Sequence, residues 1–364
     1  MNKTSRVRGI VHSSPIERNP RAAAIHKTAS GLASLAETKT RLLEQSVVVR
    51  TVADFPHLVL EHLGATIGTV VHGIDMSNAS DQEISYLYHL LLERKVIFFR
   101  DQHCTQAEHI AFGRRFGKLE IHPFNPQHPD FDEIIPIYSN ERYVGGANMW
   151  HSDVMWRMDP SLGSILLARR VPALGGDTLF ADMVAAYQGL STELKSKIDG
   201  LMAINSGSAN GSKEKARQRM QQQGATADEL TVFDEKYAHI PIPVHPVVRT
   251  HPDTNEQAIY VNRAFTRQIV GMQKTASDKL LEHLWAQSSI PEYQCRFSWS
   301  PGSVAFWDNR AAQHYAASDY WPERREMDRV TICGEIPYFS KSDAQPLTSY
   351  AADDALLGQL SGPV

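Results

Sequence analysis

The segment MWHSDVMW, residues 149–156, contains the residues of this sequence whose types and spacing best suit chemistry. It places His151 and Asp153 two positions apart, between methionines and tryptophans. If the segment is a strand, alternate side chains share one face, so these two side chains lie together while Ser152 points away. An imidazole and a carboxylate on one face can bind a metal ion. The segment therefore predicts part of a metal site.

A candidate third ligand, His314, lies beyond a predicted strand in the segment WDNRAAQHYAASDYWPERREMDRVTI, residues 307–332. Two histidines and one carboxylate on one side of an ion leave the opposite positions open, as in non-heme Fe(II) oxygenases. The HExxH motif of a zinc protease is absent from the sequence. The chain has 16 histidines, so one histidine, or the His-Asp pair by itself, could occur by chance. The hypothesis therefore depends on the three residues together.

Two helices and a strand are predicted before this segment. Ser80 and Glu83 form a capping-box pattern ahead of apolar residues at helical spacing. Thr105 and Glu108 repeat the pattern for a second helix. Between them, VIFFR at residues 96–100 is typical of a buried strand.

After the HSD segment the sequence becomes rich in short apolar runs separated by Gly and Pro. Short strands in series are typical of a sandwich, a jelly roll or a barrel. Helices are predicted at about 182–190 and 275–288, and the polar residues 205–240 indicate a mobile insert or lid. The predicted strands cover residues 163–170, 176–182, 245–250, 257–262, 294–300, 303–308 and 329–336.

The composition favours a small-molecule partner. Hydrophobic residues make up 42% of the 364 residues, enough for a substantial core, and the net charge is −4. This balance gives no electrostatic reason to expect nucleic acid or an anionic membrane as a partner. No apolar run reaches the roughly 18 residues that a membrane span requires. The oligomeric state stays open, with a homo-oligomer as one expectation.

The cysteines indicate the redox compartment, and the composition of the chain ends indicates where the domain begins and ends. Three widely spaced cysteines encode neither a disulfide framework nor a thiolate zinc site, which favours a reducing compartment and a cytoplasmic location. Residues 1–45 form a basic extension, expected to be poorly ordered, since the first fifty residues carry nine Lys and Arg against three Glu. An organelle transit peptide is the alternative for this extension. Residues 341–364 are expected to be a tail.

From about residue 47 to 340 the sequence resembles the taurine dioxygenase (TauD/TfdA) family of Fe(II)- and 2-oxoglutarate-dependent oxygenases. WHSDVMW, GGDTLF, HPVVRTHP, YVNRAFT and the 307–332 segment occur in that family's order and at its spacings. The resemblance implies a mainly β domain with flanking helices over residues 46–340. Its core would be a double-stranded β-helix (jelly roll) of the TauD type, with the ligands inside one mouth of the barrel.

The resemblance also implies roles for individual residues. His151, Asp153 and His314 would bind Fe(II), and 2-oxoglutarate and O₂ would be the cosubstrates. Arg325, eleven residues after His314, and Thr178 would hold the far carboxylate of 2-oxoglutarate, because a guanidinium can meet a carboxylate with two parallel hydrogen bonds. No separate protein acid or base is expected. The presence of Asp153 argues against halogenation, since relatives that halogenate leave that position to chloride.

The substrate pocket matches the family less closely. His122 and Arg329 match its substrate anion site, and Phe265 matches a pocket aromatic. Enzymes that act on taurine have a tyrosine and an asparagine where this chain has Asn125 and Ala147. These departures favour an anionic substrate more apolar than taurine: a sulfonate, a sulfate ester or a carboxylate. Apolar bulk near the metal motif comes from Met149, Met155 and Trp156.

Several alternatives are left open by the sequence. Arg325 could be a solvated charge, Arg329 could pair with Asp328 or another acidic residue, and His122 could be a turn histidine ahead of a proline. The apolar residues around the metal motif could be core. The protein could also be a tailoring oxygenase of secondary metabolism that acts on a larger biosynthetic intermediate, or a non-catalytic metal-binding jelly roll.

Overall fold

The computed structural model describes most of the predicted domain. The predicted extension, residues 1–45, lies outside the described residues, as does the predicted tail apart from its first residue. None of the helices in the described part combines the length and apolar character that crossing a bilayer requires. The described residues are 49–123, 128–141, 148–207, 212–222, 224–238 and 240–341.

The secondary structure in these ranges is mainly β. The strands are β1 (Val49–Val52), β2 (Phe55–His62), β3 (Thr69–His72), β4 (Val96–Phe99), β5 (Ile135–Ser139), β6 (Gly163–Arg170), β7 (Thr178–Asp182), β8 (Met202–Asn205), β9 (Val244–Pro246), β10 (Val248–Thr250), β11 (Gln257–Ile259), β12 (Thr266–Ile269), β13 (Gln294–Phe297), β14 (Val304–Asp308), β15 (Ala312–Ala316) and β16 (Arg325–Ile332). The α-helices are α1 (Asp81–Arg94), α2 (Gln106–Arg114), α3 (Met183–Gln188), α4 (Thr192–Ile198), α5 (Ser212–Gln222), α6 (Ala227–Ala238) and α7 (Lys274–Trp285).

Two sheets enclose the central core. The large sheet has the strand order β1-β2-β3-β4-β14-β6-β16-β5, and a smaller sheet has the order β13-β7-β15. Phe98 and Trp307 project from the large sheet onto Phe180 of the smaller one, with ring centroids 5.5 and 5.7 Å apart. These aromatic contacts fill the space between the sheets. The predicted jelly roll with flanking helices is confirmed.

The helices α1 and α2 cover the outer face of the large sheet. Both predicted capping boxes are present: the Ser80 and Thr105 side chains accept from the third backbone amide of each helix, and Glu83 and Glu108 return the contact. Their apolar faces pack against large-sheet residues such as Phe99 in one buried cluster. The two helices therefore shield the outer face of the large sheet from solvent, and the inner face carries the site residues.

The predicted insert, residues 205–240, contains two helices that the sequence analysis did not predict. In α6, Leu230 and Phe233 are buried, three residues apart on one face of the helix. Thr226 and Glu229 form a third capping box, a signal that was present in the sequence. The Tyr237 hydroxyl donates to the Gly207 carbonyl at 3.1 Å, which ties the helix pair to the chain beside the site. The movement of this insert as a lid stays a prediction.

A buried ion-pair network fixes the corner between β14 and β15. The Asp308 carboxylate accepts from Arg310 Nε at 2.9 Å and Nη2 at 2.8 Å, and lies 3.0 Å from His251 Nε2. Burial would raise the pKa of Asp308, but Arg310 and His251 outweigh burial and hold that pKa well below its usual range. Since β15 carries His314, this network supports the strand that presents a candidate ligand.

Asp308→Asn is expected to lower the free energy of unfolding by about 2–3 kcal/mol, because it removes the buried counter-charge of Arg310 and leaves that guanidinium the partly exposed Asp253 as its near ion-pair partner. Urea denaturation at neutral pH measures the change. The matched control is Asp278→Asn, which removes the exposed partner of Lys274 and is expected to cost about 0.5 kcal/mol or less. A loss of the same size at both positions would contradict the network's role.

Candidate active site

His151 and His314 are brought side by side by the backbone. The His151 amide donates to the His314 carbonyl at 3.1 Å, and the His314 amide donates back at 2.8 Å. This isolated antiparallel bridge holds the two imidazole centroids 4.2 Å apart. His314 lies within β15, whereas the sequence analysis placed it beyond a strand.

Asp153 joins the pair from a turn. Its Oδ1 lies 3.8 Å from Nε2 of both His151 and His314, and the three candidate ligand atoms lie within 4.8 Å of one another. The strand assumed as a condition for residues 149–156 is not present, because only His151 makes a bridge and residues 153–156 form a turn. Ser152 nevertheless points away and donates to the Ala312 carbonyl. The predicted ligand set is therefore assembled by a turn and a bridge.

Both histidines turn Nε2 toward Asp153. His151 Nδ1 lies 2.7 Å from the Met149 carbonyl and donates to it, so Nε2 is the nitrogen left for a metal ion. Burial lowers the pKa of His314 to about 3, which favours its neutral form. Neutral imidazole is the form that binds metal ions.

Asp153 is poised as a carboxylate. Burial would raise its pKa, but the Arg329 guanidinium, together with a hydrogen bond from Ser164, holds the pKa below its usual range. Two imidazole nitrogens and one carboxylate oxygen facing a common point match the donor set of non-heme Fe(II) oxygenases. The residues present therefore fit Fe(II).

Arg325 provides a buried cation on the inner face of β16. Its Nε and Nη2 make no hydrogen bond within the described part of the chain, and its guanidinium carbon lies 5.6 Å from the Trp299 ring centroid. The alternative of a solvated charge is wrong, since Arg325 is only 6% exposed. Buried donors without partners are costly, so this guanidinium is suited to an anionic ligand.

Thr178 contacts the same tryptophan. Its hydroxyl oxygen accepts from Trp299 Nε1 at 3.0 Å, which leaves the hydroxyl hydrogen available to donate. Trp299 therefore contacts both Thr178 and Arg325, the two residues predicted to bind one carboxylate. The sequence analysis did not single out Trp299, although it lies within the predicted strand 294–300.

Arg329 faces the cluster from the same strand face as Arg325. Its Nη1 lies 3.1 Å from Asp153 Oδ1, and its Nε makes no hydrogen bond to any described residue. Asp328 points to the opposite face and pairs with Arg169 at 2.7 Å. Of the alternatives for Arg329, pairing with Asp328 is wrong, whereas pairing with another acidic residue is observed.

His122 lies buried beside this arginine. Burial, followed by the charges of Arg329 and Arg157, lowers the pKa of His122 to about 3, so it is neutral. Its ring stands edge-on to Trp156 at 5.9 Å. Arg157, which donates to Glu120 at 2.8 Å, is a second cation here that the sequence analysis missed. A neutral imidazole next to a guanidinium offers hydrogen bonding and charge to an anion.

The apolar residues of the predicted pocket divide into two that are partly buried beside His151 and two that are buried. Phe265 and Met149 are partly buried and lie at His151: the Phe265 ring is 6.4 Å from the imidazole, and the Met149 carbonyl accepts from it. Met155 is fully buried, as expected for core. Trp156 is buried and packs on His122. Asn125 and Ala147 lie outside the described residues.

Comparison with known proteins agrees with this site. Residues 60–331 match the family model "Taurine catabolism dioxygenase TauD, TfdA family". The chain is 33% identical over 297 residues to the "Alpha-ketoglutarate-dependent sulfonate dioxygenase" of Saccharomyces cerevisiae, covering 77% of this chain and 68% of that protein. It is 32% identical over 283 residues to the "Alkylsulfatase" of Acinetobacter baylyi, covering 77% and 86%.

A solved structure leads to the same family. The crystal structure of a taurine dioxygenase from Burkholderia xenovorans superposes with a TM-score of 0.64 at 32% identity, covering 78% of this chain and 93% of that one. The family model spans most of the sequence, including all three candidate ligands. The chain therefore belongs to the TauD/TfdA family of dioxygenases, oxidoreductases that use Fe(II), 2-oxoglutarate and O₂.

Proposed function

We propose that this protein hydroxylates an unactivated C–H bond of a small anionic substrate that is more apolar than taurine. With Fe(II) bound, 2-oxoglutarate and O₂ would yield succinate and CO₂ while one oxygen atom enters the substrate C–H bond. His151, Asp153 and His314 would hold the iron. The protein's own task is to orient the two organic molecules and to exclude water.

The observation that carries the proposal is the pair of inward-facing arginines on β16. Arg325 and Arg329 are four residues apart on one strand face, which corresponds to about 13 Å along the strand. Among the described residues, Nε and Nη2 of Arg325 and Nε of Arg329 have no hydrogen-bond partner. Two cations at this separation, with Asp153 next to one of them, suit two separate anions. Arg325 with Thr178 would bind the cosubstrate carboxylate, and Arg329 with His122 would bind the substrate anion.

The pocket walls support an apolar substrate body. Phe265 and Met149 are partly buried beside His151, and Trp156 packs against His122, so apolar residues lie next to both the candidate ligands and the proposed anion site. The chain is similar to a sulfonate dioxygenase and to an alkylsulfatase, which supports sulfonate and sulfate-ester substrates. We therefore place sulfonates and sulfate esters with an extended apolar chain first, and aryloxy carboxylates second.

The test is an anaerobic titration followed by a substrate panel. Fe(II) and 2-oxoglutarate added together without O₂ are expected to produce a visible charge-transfer band. O₂ is then added with alkyl sulfonates, sulfate esters, aryloxy acids or amino acids, and succinate is measured. A substrate-dependent burst of succinate supports the proposal. A protein that binds Fe(II) but gives neither the band nor succinate would be a metal-binding jelly roll without this activity.

Arg329→Ala is expected to raise the KM for the anionic substrate by about 30-fold or more, since losing a buried charged contact costs about 2 kcal/mol or more. The KM for 2-oxoglutarate should change little. Decarboxylation without substrate oxidation should increase, because a loosely held substrate presents its C–H bond poorly. Succinate and hydroxylated product are measured together to obtain this ratio.

A neutral analogue is the control for this variant. With the wild type, an analogue lacking the acidic group should lose as much activity as the anionic substrate loses with the variant. Metal affinity of Arg329→Ala, measured without substrate, separates the anion contact from the contact with Asp153. Equal turnover of the neutral analogue by the wild type would show that the apolar wall, and not the arginine, selects the substrate.

A further inference from the structure

Asp153 has a second partner that the sequence analysis did not identify. The Ser164 hydroxyl donates to Asp153 Oδ2 at 2.8 Å. We propose that Ser164 is a positioning residue that holds Oδ2 and thereby reserves Oδ1 for the metal ion. The inference rests on the proposed function, since it requires that Asp153 is a metal ligand.

Ser164 is well placed to fix a neighbouring group. It is fully buried and lies on β6, which is flanked by β14 on one side and β16 on the other. In the register of these strands it stands opposite Trp307 and Thr331. A hydroxyl on a central strand of a packed sheet has little freedom to follow a moving partner. The position of the Ser164 hydroxyl therefore determines where the Asp153 carboxylate lies.

The backbone of Asp153 is held independently. Its amide donates to Asn309 Oδ1 at 3.0 Å. Asn309 is itself fixed, because Oδ1 also accepts from Trp307 Nε1 at 3.0 Å and Nδ2 donates to Ser161 at 2.9 Å. With the backbone anchored, rotation of the carboxylate is the main freedom left to Asp153. The bond from Ser164 restricts that rotation.

The chain geometry after Asp153 shows that the turn depends on its surroundings. Val154 has φ +47°, a conformation that β-branched residues rarely adopt. Such backbone persists only where neighbouring contacts hold it. The bonds from Ser164 and Asn309 are contacts of this kind on the preceding residue. They set which carboxylate oxygen faces the two imidazoles.

This arrangement determines which oxygen of Asp153 can bind a metal ion. Oδ1 lies 3.8 Å from both Nε2 atoms and accepts one hydrogen bond, from Arg329 Nη1 at 3.1 Å, so it keeps a lone pair for a metal ion, whereas Oδ2 is engaged by the Ser164 hydroxyl. A carboxylate held in this way offers one oxygen to the metal ion, which keeps other coordination positions for cosubstrate and O₂. A hydrogen bond to a carboxylate is also charge-assisted and therefore stronger than a neutral one.

The test measures Co(II) binding without cosubstrate or O₂, by titration calorimetry and by the visible absorption spectrum of the Co(II) protein. Ser164→Ala is expected to weaken Co(II) binding by about 10- to 100-fold, the usual effect of removing a partner of a metal ligand, and to change the spectrum. Ser164→Cys keeps the shape with a weaker donor, so its affinity should be intermediate. If Ser164→Ala fails to fold, Ser164→Cys still provides the comparison with the wild type.

The matched control is Thr331→Val. The Thr331 hydroxyl is buried next to Ser164 in register but makes no hydrogen bond to any described residue. This variant should bind Co(II) like the wild type and give the same spectrum. It therefore reports the effect of removing a buried hydroxyl from the same row of the sheet without touching Asp153.

The outcomes separate this inference from the proposed function. A wild type that does not bind Co(II) overturns both. A wild type that binds Co(II), with Ser164→Ala and Ser164→Cys equal to it in affinity and spectrum, overturns only the positioning role. Lower thermal stability of metal-free Ser164→Ala with unchanged Co(II) affinity also overturns it, because the hydroxyl would then only hold the turn.

Discussion

His151→Ala and Asp153→Ala are each expected to lower coupled turnover by at least about 10³-fold, with the fold retained. Each variant removes one of three candidate ligands, and a metal ion contributes several kcal/mol of transition-state stabilisation; about 4 kcal/mol corresponds to about 10³-fold. Succinate release at saturating Fe(II) measures turnover, and circular dichroism reports the fold. His151→Ala is the cleaner variant, because Asp153→Ala also leaves the buried Arg329 without its partner.

The control is a buried histidine outside the cluster. His109 is fully buried in α2, so His109→Leu matches the loss of a buried imidazole without touching the candidate ligands. It should keep coupled turnover per folded molecule. Near-normal turnover in either ligand variant would remove that residue from the ligand set, and an equal loss in His109→Leu would show that burial alone explains the effect.

Arg325→Ala is expected to raise the KM for 2-oxoglutarate by about 30- to 1000-fold. The variant loses a charge-assisted contact in a buried pocket, worth about 2–4 kcal/mol, and this range converts to that fold-change. The affinity for Fe(II) alone should be little changed, because Arg325 contacts Trp299 and not the candidate ligands. Steady-state kinetics with 2-oxoglutarate as the varied component provides the measurement.

Arg324→Ala is the matched control for this prediction. Arg324 is the adjacent residue in the chain and is exposed, so the variant removes the same charge one position away without entering the pocket. Its KM for 2-oxoglutarate should stay close to that of the wild type. If Arg325→Ala raised only the KM for the primary substrate, the proposed roles of Arg325 and Arg329 would be exchanged.

Local patterns in the sequence were sufficient for much of the fold. The capping boxes at Ser80 and Thr105 were recognisable because both partners lie within four residues. The apolar run of β6 matches the predicted residues 163–170, since a strand buried in the middle of a sheet is apolar on both faces. The predicted strand 245–250 is split into β9 and β10, which belong to different sheets.

Other features depend on contacts that local patterns do not contain. The turn after Asp153 requires a positive φ at Val154, which the identity of a β-branched residue argues against. Ser164 contacts Asp153 only through the packing of β6 against the turn. For the same reason Trp299 was missed. The ligand set was predictable from residue types and order, whereas the groups that orient it become visible only when the strand pairing is known.

The backbone bridge between His151 and His314 links the metal centre to the assembly of the protein. The neighbouring bond from Ser152 to Ala312 spans 160 residues of sequence, and contacts at such separation form only after much loop-closure entropy has been offset. The three candidate ligands therefore come together only when the barrel has folded. A metal ion that binds this set and not the unfolded chain stabilises the native state in proportion to the logarithm of its concentration. Iron supply would then govern how long each folded molecule survives in addition to whether it is active.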